Sequence, residues 1–215
     1  MHTSMQQNSH LNDMEDTYKT IEVPSMGLCK EKGSRFISLA RPVSNIDEIK
    51  LILETCKKEY HDARHQCYAY MIGYERSLWR VNDDGEPSGT AGRPILGQIN
   101  AFGLTNILIV VVRYFGGTLL GVGGLIKAYR SASLEAIKNS RIIECTVQEY
   151  YEIIYRYTFM NEVMKILKDE NINQSDQKFE MECSIKISFR LSAKERILAK
   201  LARIENLTFR YIETR

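Results

Sequence analysis

The residues able to do chemistry concentrate between positions 81 and 130. Asp83, Asp84, Glu86, Ser88 and Thr90 form an acidic and hydroxyl-bearing run interspersed with Gly85, Gly89 and Gly92. Carboxylates beside hydroxyls can hold a divalent cation or move a proton. The same residues can cap a following helix and pair with Arg93 or Arg113, and no nucleophile–base pair accompanies them, which favours the structural role. A second glycine loop follows, with Gly116, Gly117, Gly121, Gly123 and Gly124 set between Arg113 on one side and Lys127 and Arg130 on the other. A loop leading from an apolar strand into a helix start exposes unpaired amides and a partial positive charge, which attract phosphate or carboxylate. With Gly97 and Gly103, ten of the chain's 13 glycines fall in this region. Glycine loses the most backbone freedom on folding, so the density requires positive φ, close packing, or a ligand approaching the main chain. Neither GxxxxGK[ST] nor a complete GxGxxG is present, so the anion expected here is a nucleic-acid backbone or a protein carboxylate and not a nucleotide.

Other constellations are weaker. Cys56, His61, His65 and Cys67 could in kind bind zinc, but their spacing is not a metal pattern, and Cys56 falls on an apolar helix face. His65 and Cys67, two apart on a strand, lie too rigidly side by side for a Cys–His proton relay. Lys194, Arg196, Lys200 and Arg203 line a late helix, but acidic and basic residues balance from Glu144 onward, so this reads as a solvated face. Tyr151, Tyr155 and Tyr157 share a strand face and could stack RNA bases or fill a core.

The elements that must position these residues follow from the patterning. The length suits one or two domains. A net charge of +2 does not mark a nucleic-acid protein, although residues 113–141 carry five cations against Glu135 alone. Five cysteines, an odd number, without a secretory signal predict a cytoplasmic chain with reduced thiols. The longest apolar run, residues 107–112, has the length of a strand and not of a membrane helix. Residues 1–16 are polar and predict a disordered tail. Strands are predicted at 18–23 and 34–40 as a hairpin, then a helix capped by Ser44 and ending near Tyr60, then strands at 67–73 and 78–81. Pro94 opens a short helix that Gly103 closes. The strand at 105–114 is apolar on both faces and predicts cover on both sides. A helix spans 124–139. From 143 the order becomes βαββαβ, with a Ser192–Glu195 capping box at its last helix, which predicts a ferredoxin-like second domain.

The central stretch, DDGEPSGTAGRPIL, then NILIVVVRYFGG, then LGVGGLIKAYR, resembles the signature of the IMPACT/YigZ family, and His65, Cys67, Tyr68 and Ala69 match its upstream A-x-H-x-C-x-A element. The resemblance implies an α+β protein. Residues 17–142 would form an IMPACT-type domain similar to domain four of elongation factor G, and 143–215 a ferredoxin-like domain similar to its domain five. Eukaryotic members regulate translation by interfering with activation of an eIF-two-alpha kinase, through a further N-terminal domain that this sequence lacks. The family has no established catalysis, so the expected function is non-catalytic binding linked to translation, with RNA, the ribosome or a protein as partner, no membrane and no cofactor. The alternative is a phosphate-binding enzyme or small-anion sensor with Asp84 or Glu86 as base or metal ligand. The expected binding set is Asp84, Glu86, Ser88, Thr90, Arg93, Arg113, Gly116, Gly117, Gly121, Gly123, Gly124, Lys127 and Arg130. Many relatives carry lysine where this chain has Leu119, leaving Arg113, Lys127 and Arg130 as the cations. Replacing Arg113 and Lys127 together by alanine is expected to spare the fold and abolish binding. The two glycine loops are expected to be neighbours in space.

Overall fold

A computed structural model of the chain describes residues 16–215, so the predicted tail lies outside the described residues except for Asp16. The chain divides into two compact units, Thr17–Cys145 and Thr146–Arg215, the latter including Asp16. The architecture is mixed, with three sheets and five α-helices among the described residues.

The first unit is built on a five-stranded sheet. In chain order its strands are β2 (Ser25–Glu31), β3 (Ser34–Pro42), β4 (His65–Ile72), β5 (Leu78–Asn82) and β6 (Ile107–Tyr114), and in space they run β2-β3-β6-β4-β5. All neighbours are antiparallel. Helix α1 (Ile46–Glu59) covers one face; α2 (Gly92–Ala101) and α3 (Gly121–Lys138) cover the other. The central β6 explains its own composition. Alternate side chains point to opposite faces, so Ile107, Ile109 and Val111 join the core under α2 and α3, while Leu108, Val110 and Val112 join the core under α1. All six are fully buried, as the apolar run predicted, although the sheet is antiparallel.

The start of the chain differs from expectation. Strand β1 (Thr17–Ile21) pairs not with β3 but with β7 (Ile142–Thr146) in a separate two-stranded sheet. The partner of β3 is β2, joined through Lys32 and Gly33 with φ of 44° and 80°, the paired positive φ of a tight hairpin. Strand β2 escaped the pattern because its inward residues are small. A Cβ on Gly27 would lie 2.4 Å from the Ala136 backbone N, so α3 packs almost directly on the strand's main chain. At α1 the cap is Asn45 and not Ser44: the Asn45 side chain accepts from the Glu48 N–H at 2.9 Å, and Ser44 binds the Glu48 carboxylate instead.

The second unit runs β8 (Gln148–Arg156), α4 (Met160–Asp169), β9 (Asn173–Lys178), β10 (Glu182–Arg190), α5 (Lys194–Leu201) and β11 (Thr208–Thr214), with antiparallel order β11-β8-β10-β9. One sheet face packs on Val163, Leu167, Ile197 and Leu201 of the two helices. Tyr151 and Tyr155 point into this core, and Tyr157 begins a 3-10 turn, so the three tyrosines do not form a stacking platform. Ser192 does not cap α5; it sits in the preceding 3-10 turn and donates to the Asp16 carboxylate, which also takes two hydrogen bonds from Arg190.

Candidate functional site

The first glycine loop leaves β5 and leads into α2. Asp83 holds it: its carboxylate accepts from the N–H groups of Gly89 at 2.8 Å, Ala91 at 3.0 Å and Gly92 at 2.8 Å. An acid nine residues upstream thus supplies the cap that α2 lacks locally. Burial raises the Asp83 pKa, but the three amide donors outweigh it and hold the carboxyl below its ordinary value. Asp84 sits at φ 42°; its carboxylate accepts from the Gln66 N–H at 2.7 Å and its carbonyl lies 2.8 Å from His65 Nδ1. Thr90 is buried and donates to the Pro87 carbonyl, while Ser88 is exposed.

Glu86 turns inward. Its Oε1 accepts from Arg113 Nη1 at 2.6 Å and from the Tyr129 hydroxyl at 2.8 Å, and the Cys67 Sγ lies 3.3 Å from the same hydroxyl. Arg113 is 6% exposed and Glu86 8%. The strand registers explain the meeting, since Arg113 of β6 lies beside Phe36 of β3 and His65 of β4. The guanidinium also lies over the Phe36 and Phe115 rings, 5.5 and 5.7 Å from their centroids. Burial pushes the Cys67 thiol up to about 12, opposed by the Tyr129 hydrogen bond and reinforced by the nearby carboxylates. Burial also raises Tyr129. Cys67 is therefore a protonated thiol and not a nucleophile. Removing the Arg113 side chain would strand a buried carboxylate, so the expectation that replacing Arg113 and Lys127 together by alanine spares the fold does not suit this geometry at Arg113.

The second loop is set by packing. A Cβ on Gly116 would lie 1.9 Å from the Gly33 carbonyl carbon, so only glycine fits there, against the β2–β3 turn. The loop ends in Leu120, right-handed at φ −87° and ψ −26°, and α3 opens on Gly121, at φ 70°. The two glycine loops meet, as expected, around an open cleft of about 470 Å³. Glu86 and Pro87 come from the first loop, Leu119 to Val122 from the second, and Arg64, His65, Arg113, Phe115 and Leu125 complete the wall. Phe115, Leu119 and Val122 are 50%, 83% and 58% exposed at its mouth.

The cations expected together are dispersed. Arg113 lies at the cleft floor, paired. Arg130 and Arg93 line a second, shallower cleft of about 300 Å³ with Gly89 and Gly97. Lys127 is exposed on α3 and lines neither. Tyr129 was missed, although a hydroxyl on the core line Leu125–Tyr129–Ala132–Ala136 signals a buried partner. Phe115 and Val122 carried no signal, because exposure of single apolar residues is unreadable from sequence. Cys56 and Cys67 sit in different cores on opposite sheet faces, and no group of three or more His, Cys, Asp or Glu residues that could hold a metal occurs among the described residues.

A mixed α/β chain of two units, with a buried ion pair beneath an apolar cleft, is the class that fold and site define. The Impact N-terminal domain model matches residues 32–137. The chain is 39% identical over 131 residues to the IMPACT family member YigZ of Escherichia coli (strain K12), covering 57% of this chain and 64% of that one. It is 37% identical over 136 residues to the IMPACT family member YvyE of Bacillus subtilis (strain 168), covering 63% of each. These matches span less than two thirds of both relatives. A crystal structure of a hypothetical protein aligns with TM-score 0.70 at 29% identity over 92% of this chain and 98% of that one. The chain belongs to the IMPACT family.

Proposed function

We propose that this chain is a non-catalytic, cytoplasmic binding protein of translational control, and that a partner protein docks in the cleft between its two glycine loops. One observation carries the reading: the carboxylates of the first loop are hydrogen-bonded within the protein, while the rim of the cleft leaves apolar side chains in water. Glu86 is held by Arg113 and Tyr129. Asp84 is held by the Gln66 N–H. Both carboxylates thus have a structural partner, which favours a positioning role over the enzyme alternative. Exposed apolar residues around a concave floor are the usual mark of a protein contact. The link to translation rests on family membership. The likenesses to domains four and five of elongation factor G are analogies of fold, the ferredoxin-like one supported by the order β11-β8-β10-β9, and do not establish function.

RNA or ribosome binding is a second reading, favoured by the exposed Arg93, Lys127 and Arg130 outside the apolar cleft. Capture from cell lysate at low salt by the wild-type chain and by Leu119→Asp tests the first. Loss of partner in Leu119→Asp is expected; equal capture by both would remove the cleft as the docking surface.

A further inference from the structure

The cleft has two chemically distinct ends. One is apolar, between Phe115, Val122 and Leu125. The other is the start of α3, whose amides are free. Among the described residues no turn or cap hydrogen bond uses the N–H of Leu120, Gly121 or Val122, no side chain caps the helix, and its first turn holds no acid. The contrast with α2, capped three times over by Asp83, is direct. A right-handed residue followed by a left-handed one turns successive N–H groups to one side and forms an anion-binding concavity, and Leu120–Gly121 has that geometry. An independent observation points the same way: Arg113, 94% buried by its 6% exposure, lines the cleft, spends Nη1 on Glu86 and leaves Nε without a partner.

We propose that the cleft takes the C-terminal end of a partner chain, its free α-carboxylate on the α3 amides beside Arg113 and Arg64, its last apolar side chains between Phe115 and Leu125. The inference rests on the docking reading above. Charge complementarity selects the occupant. Glu86 is already balanced by Arg113, so Arg64 and the uncapped helix start remain in excess, matching one negative charge. A phosphate dianion carries more charge than Arg64 and the helix start balance, and the apolar walls would strip hydration from its remaining oxygens. A nucleic-acid backbone presents repeated charges, and only Arg64 is an exposed cation of this cleft. Capture of a C-terminal carboxylate by converging amides is an established recognition mode.

The test uses the full chain and a fluorescein-labelled hexapeptide, Gly-Ser-Gly-Ser-Ile-Leu, with either a free or an amidated C-terminus. Anisotropy should show the free acid binding at least about tenfold tighter than the amide, the scale of a lost charge-assisted contact. Val122→Asp places a carboxylate in the first helical turn, where it favours the helix. Its melting temperature should not fall, yet it should lose the free-acid peptide by about tenfold or more. Val122→Asn, similar in size and uncharged, should lose less. Equal binding of acid and amide, or binding of neither, overturns the carboxylate assignment. Displacement by 4-methylpentanoate at the peptide's own concentration would make this a small-acid site, and a ribo-oligonucleotide lost in Val122→Asp would make it a nucleic-acid site; either overturns the proposal. If acid and amide bind alike and both are lost in Leu119→Asp, the docking reading survives without its carboxylate. Lysate capture indifferent to Leu119→Asp sinks the docking reading itself.

Discussion

Arg113 shows how much a residue's role depends on what stands beside it. In sequence it is a cation ahead of a glycine loop; in the fold it is the counter-ion of Glu86, with both side chains under a tenth exposed. Removing one partner of such a pair leaves an uncompensated buried charge and costs about 3–5 kcal/mol. Arg113→Ala should accordingly lower stability by that amount in urea unfolding, and Arg113→Ala combined with Glu86→Ala should recover part of the loss. A double variant no more stable than the single would refute a direct coupling. Asp83 carries a pH signature. Its folded pKa lies below the unfolded value, so its stabilisation is present above about pH 3.9 and lost as pH falls through the depressed folded value. Asp83→Ala should therefore cost about 1–2 kcal/mol at neutral pH, and the gap from wild type should narrow in acid. A gap unchanged between pH 7 and strongly acidic conditions would show that the carboxylate charge is irrelevant.

Elements were legible where burial is one-sided or complete. The two-faced run of β6 and the helical spacing of α1 and α3 each followed from periodicity alone. Strand β2 did not, because its inward side is Ser25, Gly27 and Cys29, small residues selected by the approach of α3. Gly27→Val should for that reason be far more damaging than its sequence surroundings suggest, by about 1–3 kcal/mol or more from overpacking against the Ala132–Ala136 backbone. Thermal unfolding reads this, and a melting temperature equal to wild type would contradict the packing described. Caps were similarly shifted: the motifs beginning at Ser44 and Ser192 were read as caps, but Asn45 does the first task, and Asp16 engages the hydroxyl in the second.

At the scale of the molecule, charge is balanced and the cations are spread over different surfaces. A protein docked through the apolar cleft should stay bound when salt rises from about 50 to 200 mM, whereas a nucleic acid held by several phosphate contacts would lose about a thousandfold or more in affinity over that range. Gradient elution of captured partners distinguishes the two, and steep loss in moderate salt would favour the RNA reading. No helix among the described residues is long and apolar enough to cross a membrane.

By itself the sequence determined the family, the mixed α/β class, the doubly covered central strand and the meeting of the two glycine loops. Each of these is written in local pattern or in an extended motif. The tertiary structure alone decided which ionisable residues neutralise one another and which apolar ones face water. Those outcomes depend on register: Arg113 meets Glu86 because β6 lies between β3 and β4 and the acidic loop folds back over their ends. Pairing across 27 residues of chain leaves no periodic trace. The glycine loops therefore read in sequence as an anion loop beside an acidic one, and in the fold as the two lips of an apolar cleft.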